Sequence, residues 1–291
     1  MNAKRIRTEF IRERRCKKMW EVVKKLRDNA RQILEIVVLI IAGSLPHWID
    51  FRVLFKSYLE NNSLSPDNWM YYLAISHGNW TASILLIILT VWGIQKFNNE
   101  FVMNEIDVYH NYCYGWYWFC AKILGVKKCD LISVPIYMQF KLVLNKVFNE
   151  FPLDEKHYPE IDNEKVKVIQ KNEKEPQNEI NLILEDTYVI KNSQIPYSKR
   201  NLFTIKISRN GGSNGERHYS EAFMEKIIST VKGLENTSVV NVYATTNPLH
   251  TKYIAERVFK SGGRGDIRKL YVYQQNRNGD RNFEDRGHRI Y

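Results

Sequence analysis

The sequence predicts a membrane α-helical hairpin joined to a cytoplasmic α/β domain with a mainly parallel sheet. Three observations carry that fold class. Two long apolar segments fall within the first hundred residues, a basic stretch precedes them, and strand-like and helix-like segments alternate from Ile180 onward. The 291 residues leave room for a membrane part and one modest soluble domain. The expected division is 1–31 basic leader, 32–97 hairpin, 98–151 aromatic-rich interfacial or helical region, 152–179 charged linker and 180–291 cytoplasmic α/β sensor or binding domain.

The leader, Met1 to Arg31, carries twelve Lys/Arg against four Asp/Glu out of a whole-chain net charge of +11. Ile36 to Ile49 has no charged residue, and a span from about Ile33 to Ile49 is near the lower limit for crossing about 30 Å of hydrocarbon. Asp67 and Lys96 bracket a second uncharged stretch, with Trp69, Tyr71, Tyr72 and Trp80 toward one end and Trp92 near the other. Such aromatics favour the interface between lipid and water. The loop Phe51 to Asp67 holds only Arg52 and Lys56 as basic residues, so the charge rule for short loops keeps both termini cytoplasmic. The lipid bilayer is therefore an expected partner.

Ser76, Ser83 and Thr90 recur every seven residues along the second span, with Asn79 nearby and Gly78 and Ala82 as a small-xxx-small pair. Small and hydroxyl residues let helices approach closely in lipid. These six positions are candidates for packing one span on the other, or for a homo-oligomer. Glu35 and His77 are the ionisable groups at membrane depth.

Tyr109 to Phe119 is rich in Tyr and Trp, and reads either as an interfacial collar or as the core of a small helical subdomain. Cys16, Cys113, Cys120 and Cys129 are expected as free thiols on the cytoplasmic side. The spacing of His110, Cys113, Cys120 and Cys129 does not match paired-cysteine knuckles, so no metal is assigned. Asp154 to Asn178 is charged and poor in large apolar residues, as a linker or exposed edge element would be.

Beyond it, strands are expected at Ile180–Ile190, Leu202–Ser208, Ser238–Ala244 and Lys269–Tyr273. Helices are expected over Ser220–Lys232, stopping at Gly233, and from the Asn247-Pro248 start to Lys260. A parallel sheet then gathers three polar loops at one edge, where open α/β sheets bind ligands. The candidate ligand residues are Arg209, Asn210, Gly211, Gly212, Arg217, His218, Thr245, Thr246, Asn247 and Gln274. A nucleotide or other phosphate-bearing ligand suits such loops, with nucleic acid or a protein regulator from the same operon as alternatives. Gly-rich connection alone is the plainer account.

Chemistry is thin. His250-Thr251-Lys252 resembles an H-x-K motif but falls in a helical pattern, and no nucleophile elbow or HExxH is found. Glu185, Asp186, Arg217 and His218 have no sequence relation that would make them a catalytic set. No catalytic residue and no cofactor is assigned, and a non-enzymatic role leads over a membrane-anchored enzyme acting on nucleotides or nucleic acid.

The hairpin Ile33–Ile49 and Tyr71–Ile94 with the soluble domain from Ile180 resembles the two-transmembrane effectors of bacterial anti-phage defence, which accompany retron reverse transcriptases or cyclic-oligonucleotide synthases. The resemblance is architectural and carries no functional residues over. It implies a toxin-like effector that disrupts the membrane once the soluble domain senses a trigger.

Overall fold

The computed structural model describes residues 27–61, 69–104, 109–153, 158–159, 165–172, 178–209, 217–234, 236–260, 267–276 and 279–291. Most of the basic leader, the outer part of the 51–67 loop, and Asn210, Gly211 and Gly212 lie outside them. The chain forms two compact units, Met1–Phe101 with Phe119–Val126, and Val102–Trp118 with Lys127–Tyr291.

The first unit holds α1 (Ala30–Ile49), α2 (Phe51–Asn61) and α3 (Trp69–Phe97). Two stretches, the 20 residues of α1 and the 22 residues Ser76–Phe97, are long and apolar enough to cross a membrane. Pro46 is tolerated in the last turn of α1, and the left-handed Asp50 (φ +49°) then breaks the helix. The segment read as a plain loop restarts as α2. Burial along these helices is inverted relative to a water-soluble pair. Gln32 and Glu35 of α1 and Asn79 and Ser83 of α3 are buried, whereas Leu34, Ile40, Ile84, Ile88 and Leu89 are more than half exposed.

Polar joints hold both ends of this packing. At one end Asn79 accepts from the Arg52 backbone N–H (2.9 Å) and donates to Asp50 (3.0 Å), while Ser83 meets His47 at 3.3 Å. Gly78 and Ala82 are also buried, Thr90 is partly exposed, and Ser76 and His77 face outward. At the other end Glu35 accepts from Arg31 (3.2 Å) and Asn98 (3.0 Å). Asn98 also accepts from Arg31 (2.7 Å) and donates to the Leu124 carbonyl (2.9 Å). Gln95 donates to the Ile123 carbonyl (3.1 Å). Gly125 follows at φ +74°, where a Cβ would stand 2.5 Å from the Gln95 side chain, so the tight approach requires glycine.

In the second unit a short parallel pair, β1 (Val102–Met103) and β2 (Lys128–Cys129), accompanies α5 (Ile136–Leu144) and the first turn of α4 (Tyr114–Lys122), whose remainder from Phe119 belongs to the first unit. Tyr117, Leu131, Phe140 and Leu142 are fully buried, so the aromatic-rich middle of the chain contributes a packed core. The main sheet has six strands in the order β3-β5-β4-β6-β7-β8. They are β3 (Val166–Lys171), β4 (Glu179–Glu185), β5 (Phe203–Arg209), β6 (Val239–Ala244), β7 (Lys269–Tyr273) and β8 (His288–Arg289). α6 (Glu221–Lys232) joins β5 to β6, and α7 (Pro248–Tyr253), continued as a π-helix over Ile254–Lys260, joins β6 to β7.

The expectation of a mainly parallel sheet is corrected to a mixed one. The four central strands are parallel, but β3 and β8 pair antiparallel at the two edges. Both edge strands lie in polar, charged sequence, because an edge strand needs only one apolar face and gives little hydrophobic signal. β3 falls in the stretch read as linker or edge element. β4 is shorter than expected: it ends at Glu185, and Asp186 leaves the ladder as its backbone N–H turns to the Thr245 hydroxyl (3.3 Å).

Local signals place the helices as expected. Ser220 caps α6 by accepting from Phe223 N–H (3.3 Å), and Gly233 ends it. Asn247 caps α7 by accepting from His250 N–H (2.8 Å), with Pro248 at the first turn.

Candidate functional site

In the order β5-β4-β6-β7 the chain leaves β4 toward one side of the sheet and later returns to its other side. The switch point lies between the carboxyl ends of β4 and β6, the position at which open α/β sheets form a crevice. A cavity of about 390 Å³ opens there, within the range of small-molecule sites. Its lining includes Thr187 and Tyr188 after β4, Thr245 to Pro248 after β6, and Gln274 to Asn276 after β7. Tyr109 and Ile132 to Ile136 complete the lining.

Arg217 and Arg281 are the charged side chains of this lining, which contains no carboxylate among the described residues. Both are exposed. The Arg281 guanidinium lies 4.5 Å over the Tyr188 ring, from a left-handed backbone at φ +54°. A cation stacked on an aromatic face keeps an edge of N–H donors pointing outward.

Directly beneath is a buried polar network. Asp186 and Arg209 form an ion pair with both side chains fully buried. Asp186 Oδ2 also accepts from Asn247 N–H (2.8 Å) and from His250 Nδ1 (2.8 Å). The Ser220 backbone N–H donates to His250 Nε2 (3.0 Å), so Nε2 is the acceptor and Nδ1 carries the proton. Burial pushes the Asp186 carboxyl upward. The His250 contact, the Arg209 charge and the Asn247 N–H outweigh that and hold its pKa below the usual value. Arg209 Nη1, which can only donate, meets His218 Nε2, and the Asn247 amide donates to the His218 carbonyl (2.9 Å). Arg209 and His218 flank the glycine-rich loop, so this network clamps both of its ends and sets Arg217 at the cavity.

The ten residues expected to bind a ligand therefore separate. Arg217, Thr245, Thr246, Asn247 and Gln274 line the cavity, whereas Arg209 and His218 lie in the buried layer. Several of the lining residues also brace the walls. Thr245 donates to the Tyr188 carbonyl (2.8 Å), Thr246 meets Thr251 (2.7 Å), and Gln274 accepts from the Ile136 N–H (3.0 Å). Sequence reasoning missed Tyr109, the Ile132–Ile136 wall, Tyr188 and Arg281, which come from segments far apart in the chain.

The groups weighed as a catalytic set are not assembled as one. Successive strand residues point to opposite faces. Glu185 accordingly turns away from Asp186 to Ser208 (2.6 Å), Lys206 (2.5 Å) and the Ile190 N–H (2.6 Å). His250, of the H-x-K motif, is fully buried with both ring nitrogens engaged. Among the described residues no group of three or more His, Cys, Asp or Glu is placed to hold a metal ion.

The sequence profile of SUa-2TM, the SMODS- and ubiquitin-system-associated 2TM effector domain, matches residues 13–291. The chain belongs to that family. The SUa-2TM assignment bears out the resemblance to two-transmembrane effectors of anti-phage defence, and its name agrees with the two long apolar helices. This SUa-2TM chain is also similar to two solved structures of the Acinetobacter baumannii Cap4 SAVED/CARF-domain containing receptor. One holds the cyclic trinucleotide 3'3'3'-cAAA, at 10% identity and TM-score 0.38, covering 58% of this chain and 40% of that one. The other holds 2'3'3'-cAAA, at 9% identity and TM-score 0.36, covering 57% and 39%. The SUa-2TM chain thus spans about two-fifths of the length of those receptors. No curated protein matches it.

Proposed function

We propose that this chain is a membrane effector of a bacterial defence system whose α/β unit binds a nucleotide carrying more than one phosphate in the switch-point cavity. The observation that carries this reading is a cavity with two arginines and no carboxylate in its described lining, at the sheet's switch point. Arginine matches phosphate bidentately, and Tyr109 and Tyr188 put aromatic side chains in the lining, against which a base can pack. Arg217 is rooted near the end of β5 and Arg281 beyond β7. The two guanidiniums thus reach the cavity from different segments, which suits a ligand with more than one phosphate better than a single one. Binding rather than turnover is the role proposed, because Asp186, His218 and His250 are committed to the buried network.

The hairpin crosses the inner membrane with both termini cytoplasmic and perturbs it when the ligand is bound. The inverted burial of α1 and α3 supports crossing: their apolar side chains face outward and their polar ones inward, as lipid would select. Assembly of hairpins into a homo-oligomer is part of the same proposal.

The full chain in lipid nanodiscs is titrated with cyclic di- and trinucleotides, linear diadenylate and ATP, with melting temperature as the readout. One of these nucleotides raises it. Arg217→Gln and Arg281→Gln each weaken binding by roughly 10- to 100-fold, the equivalent of one or two charge-assisted hydrogen bonds. In proteoliposomes the active nucleotide collapses a potassium diffusion potential. No response to any of the nucleotides, or full binding by the double arginine variant, overturns the ligand half. Binding with the potential intact overturns the effector half and leaves a tethered sensor.

A further inference from the structure

A second cavity of the α/β unit, of about 590 Å³, lies among the end of α5, the Phe148–Pro152 segment and the α7/π-helix. Lys146, Lys252 and Lys260 line it, and Phe148, Phe151 and Pro152 supply an apolar wall. None of its lining residues belongs to the switch-point cavity.

The placement of the lysines is costly in two ways. Lys146 follows the C-cap Asn145 of α5 and takes a left-handed backbone (φ +46°), a position at which helices ordinarily carry glycine. Lys260 lines the same cavity from the end of the π-helix. Partial desolvation and the Lys146 ammonium hold Lys260 below the usual lysine range, although Glu256 opposes them. The dipole at the end of α5 favours one cation there. It does not account for two further lysines lining the same cavity from another element. Lys252 converges from the same helix, donating weakly to the Phe151 carbonyl (3.4 Å). Of the two acids in the lining, Glu150 is drawn to Lys128 (3.9 Å), outside the cavity.

Three lysines lining one cavity match a doubly charged phosphomonoester, to which lysines bind as point charges. The volume exceeds what a bare phosphate fills, and the Phe148–Phe151–Pro152 wall suits an organic group attached to it. We infer that this cavity is a second anion site, taking the phosphomonoester of an organic phosphate through Lys146, Lys252 and Lys260. The same chemistry is offered by a mononucleotide and by a phosphatidic-acid headgroup.

The test uses the full chain in phosphatidylcholine nanodiscs, titrated calorimetrically with adenosine monophosphate in one arm and dihexanoyl phosphatidic acid in the other. At least one arm binds, and the stronger identifies the source. Lys260→Gln weakens that binding about tenfold, and Glu256→Gln tightens it by removing a like charge. Arg217→Gln leaves it unchanged, which separates this site from the switch-point cavity. Lys146→Gly relieves the backbone, so it raises the melting temperature while weakening binding, an outcome a purely structural lysine cannot give. Failure of both ligands to bind, equal binding by the lysine variants, or binding abolished by Arg217→Gln overturns the inference.

Discussion

Replacing Asp186 by Asn is nearly isosteric, yet it removes the charge that compensates a fully buried Arg209. It also swaps an oxygen for an NH2 group, although both Asn247 N–H and His250 Nδ1 donate toward this side chain. Breaking a buried pair by removing one partner costs about 3–5 kcal/mol, mostly because the remaining charge is left uncompensated. Taking about 3 kcal/mol as the local loss, amides around the β4–β6 switch point should exchange hydrogen roughly 100-fold faster or more. The assay is native-state hydrogen exchange on the full chain in detergent, read at Asn247 and Thr251, whose N–H groups bond to Asp186 and to the Asn247 carbonyl. Amides of the hairpin serve as the internal control. Adding Arg209→Gln should restore part of the protection, since no unpaired charge then remains. A change of less than about 1 kcal/mol, or acceleration shared equally by the hairpin, would show that the pair is not the clamp described here.

Acid should act on the same clamp. The folded-state pKa of Asp186 lies below its ordinary value of 3.8, so its stabilisation is present above that value and is lost as pH falls through the lowered one. The protection factor at Asn247, taken relative to the intrinsic exchange rate at each pH, should therefore change little from neutrality to about pH 5 and fall at strongly acid pH; a fall near pH 6 would assign the opening to another group. Asn98→Leu should destabilise the hairpin by about 2–4 kcal/mol, because it strips Glu35, Arg31 and the Leu124 carbonyl of a buried partner. Asn99→Leu, whose side chain bonds only weakly to exposed Glu100 at 3.4 Å, should be near neutral in the same tryptophan-fluorescence unfolding series. Gly43→Leu should disturb the packing of α1 on α3, since even a Cβ there would meet Ile87 at 3.2 Å. A Cβ at Gly93 meets nothing within 4 Å, so Gly93→Leu should fold normally. Loss of membrane depolarisation in Gly93→Leu with normal folding would place a hairpin–hairpin contact at that face; unchanged activity would exclude it.

Much of the fold was legible because its determinants are local. Uninterrupted apolar runs announce α1 and α3, the Asn247-Pro248 cap announces α7, and alternation announces β5. β3 and β8 escaped because edge strands are half solvated and look like charged connection. Within the hairpin the sequence showed a polar stripe but not its partners: Asn79 and Ser83 turn inward onto Asp50, Arg52 and His47, while Ser76 faces out.

By itself the sequence determined that this protein has two apolar helices, a basic leader and an α/β region whose polar loops share one sheet edge, since periodicity, charge and capping act within a few residues. Only the tertiary structure decided which of those loop residues reach a cavity and which are spent beneath it. Whether Arg209 meets a ligand or Asp186 depends on a side chain 23 positions away in sequence, and whether Tyr109 and Arg281 line one cavity depends on how distant segments pack. Desolvation makes those choices, because a buried charge must find its counter-charge wherever the fold brings one within reach.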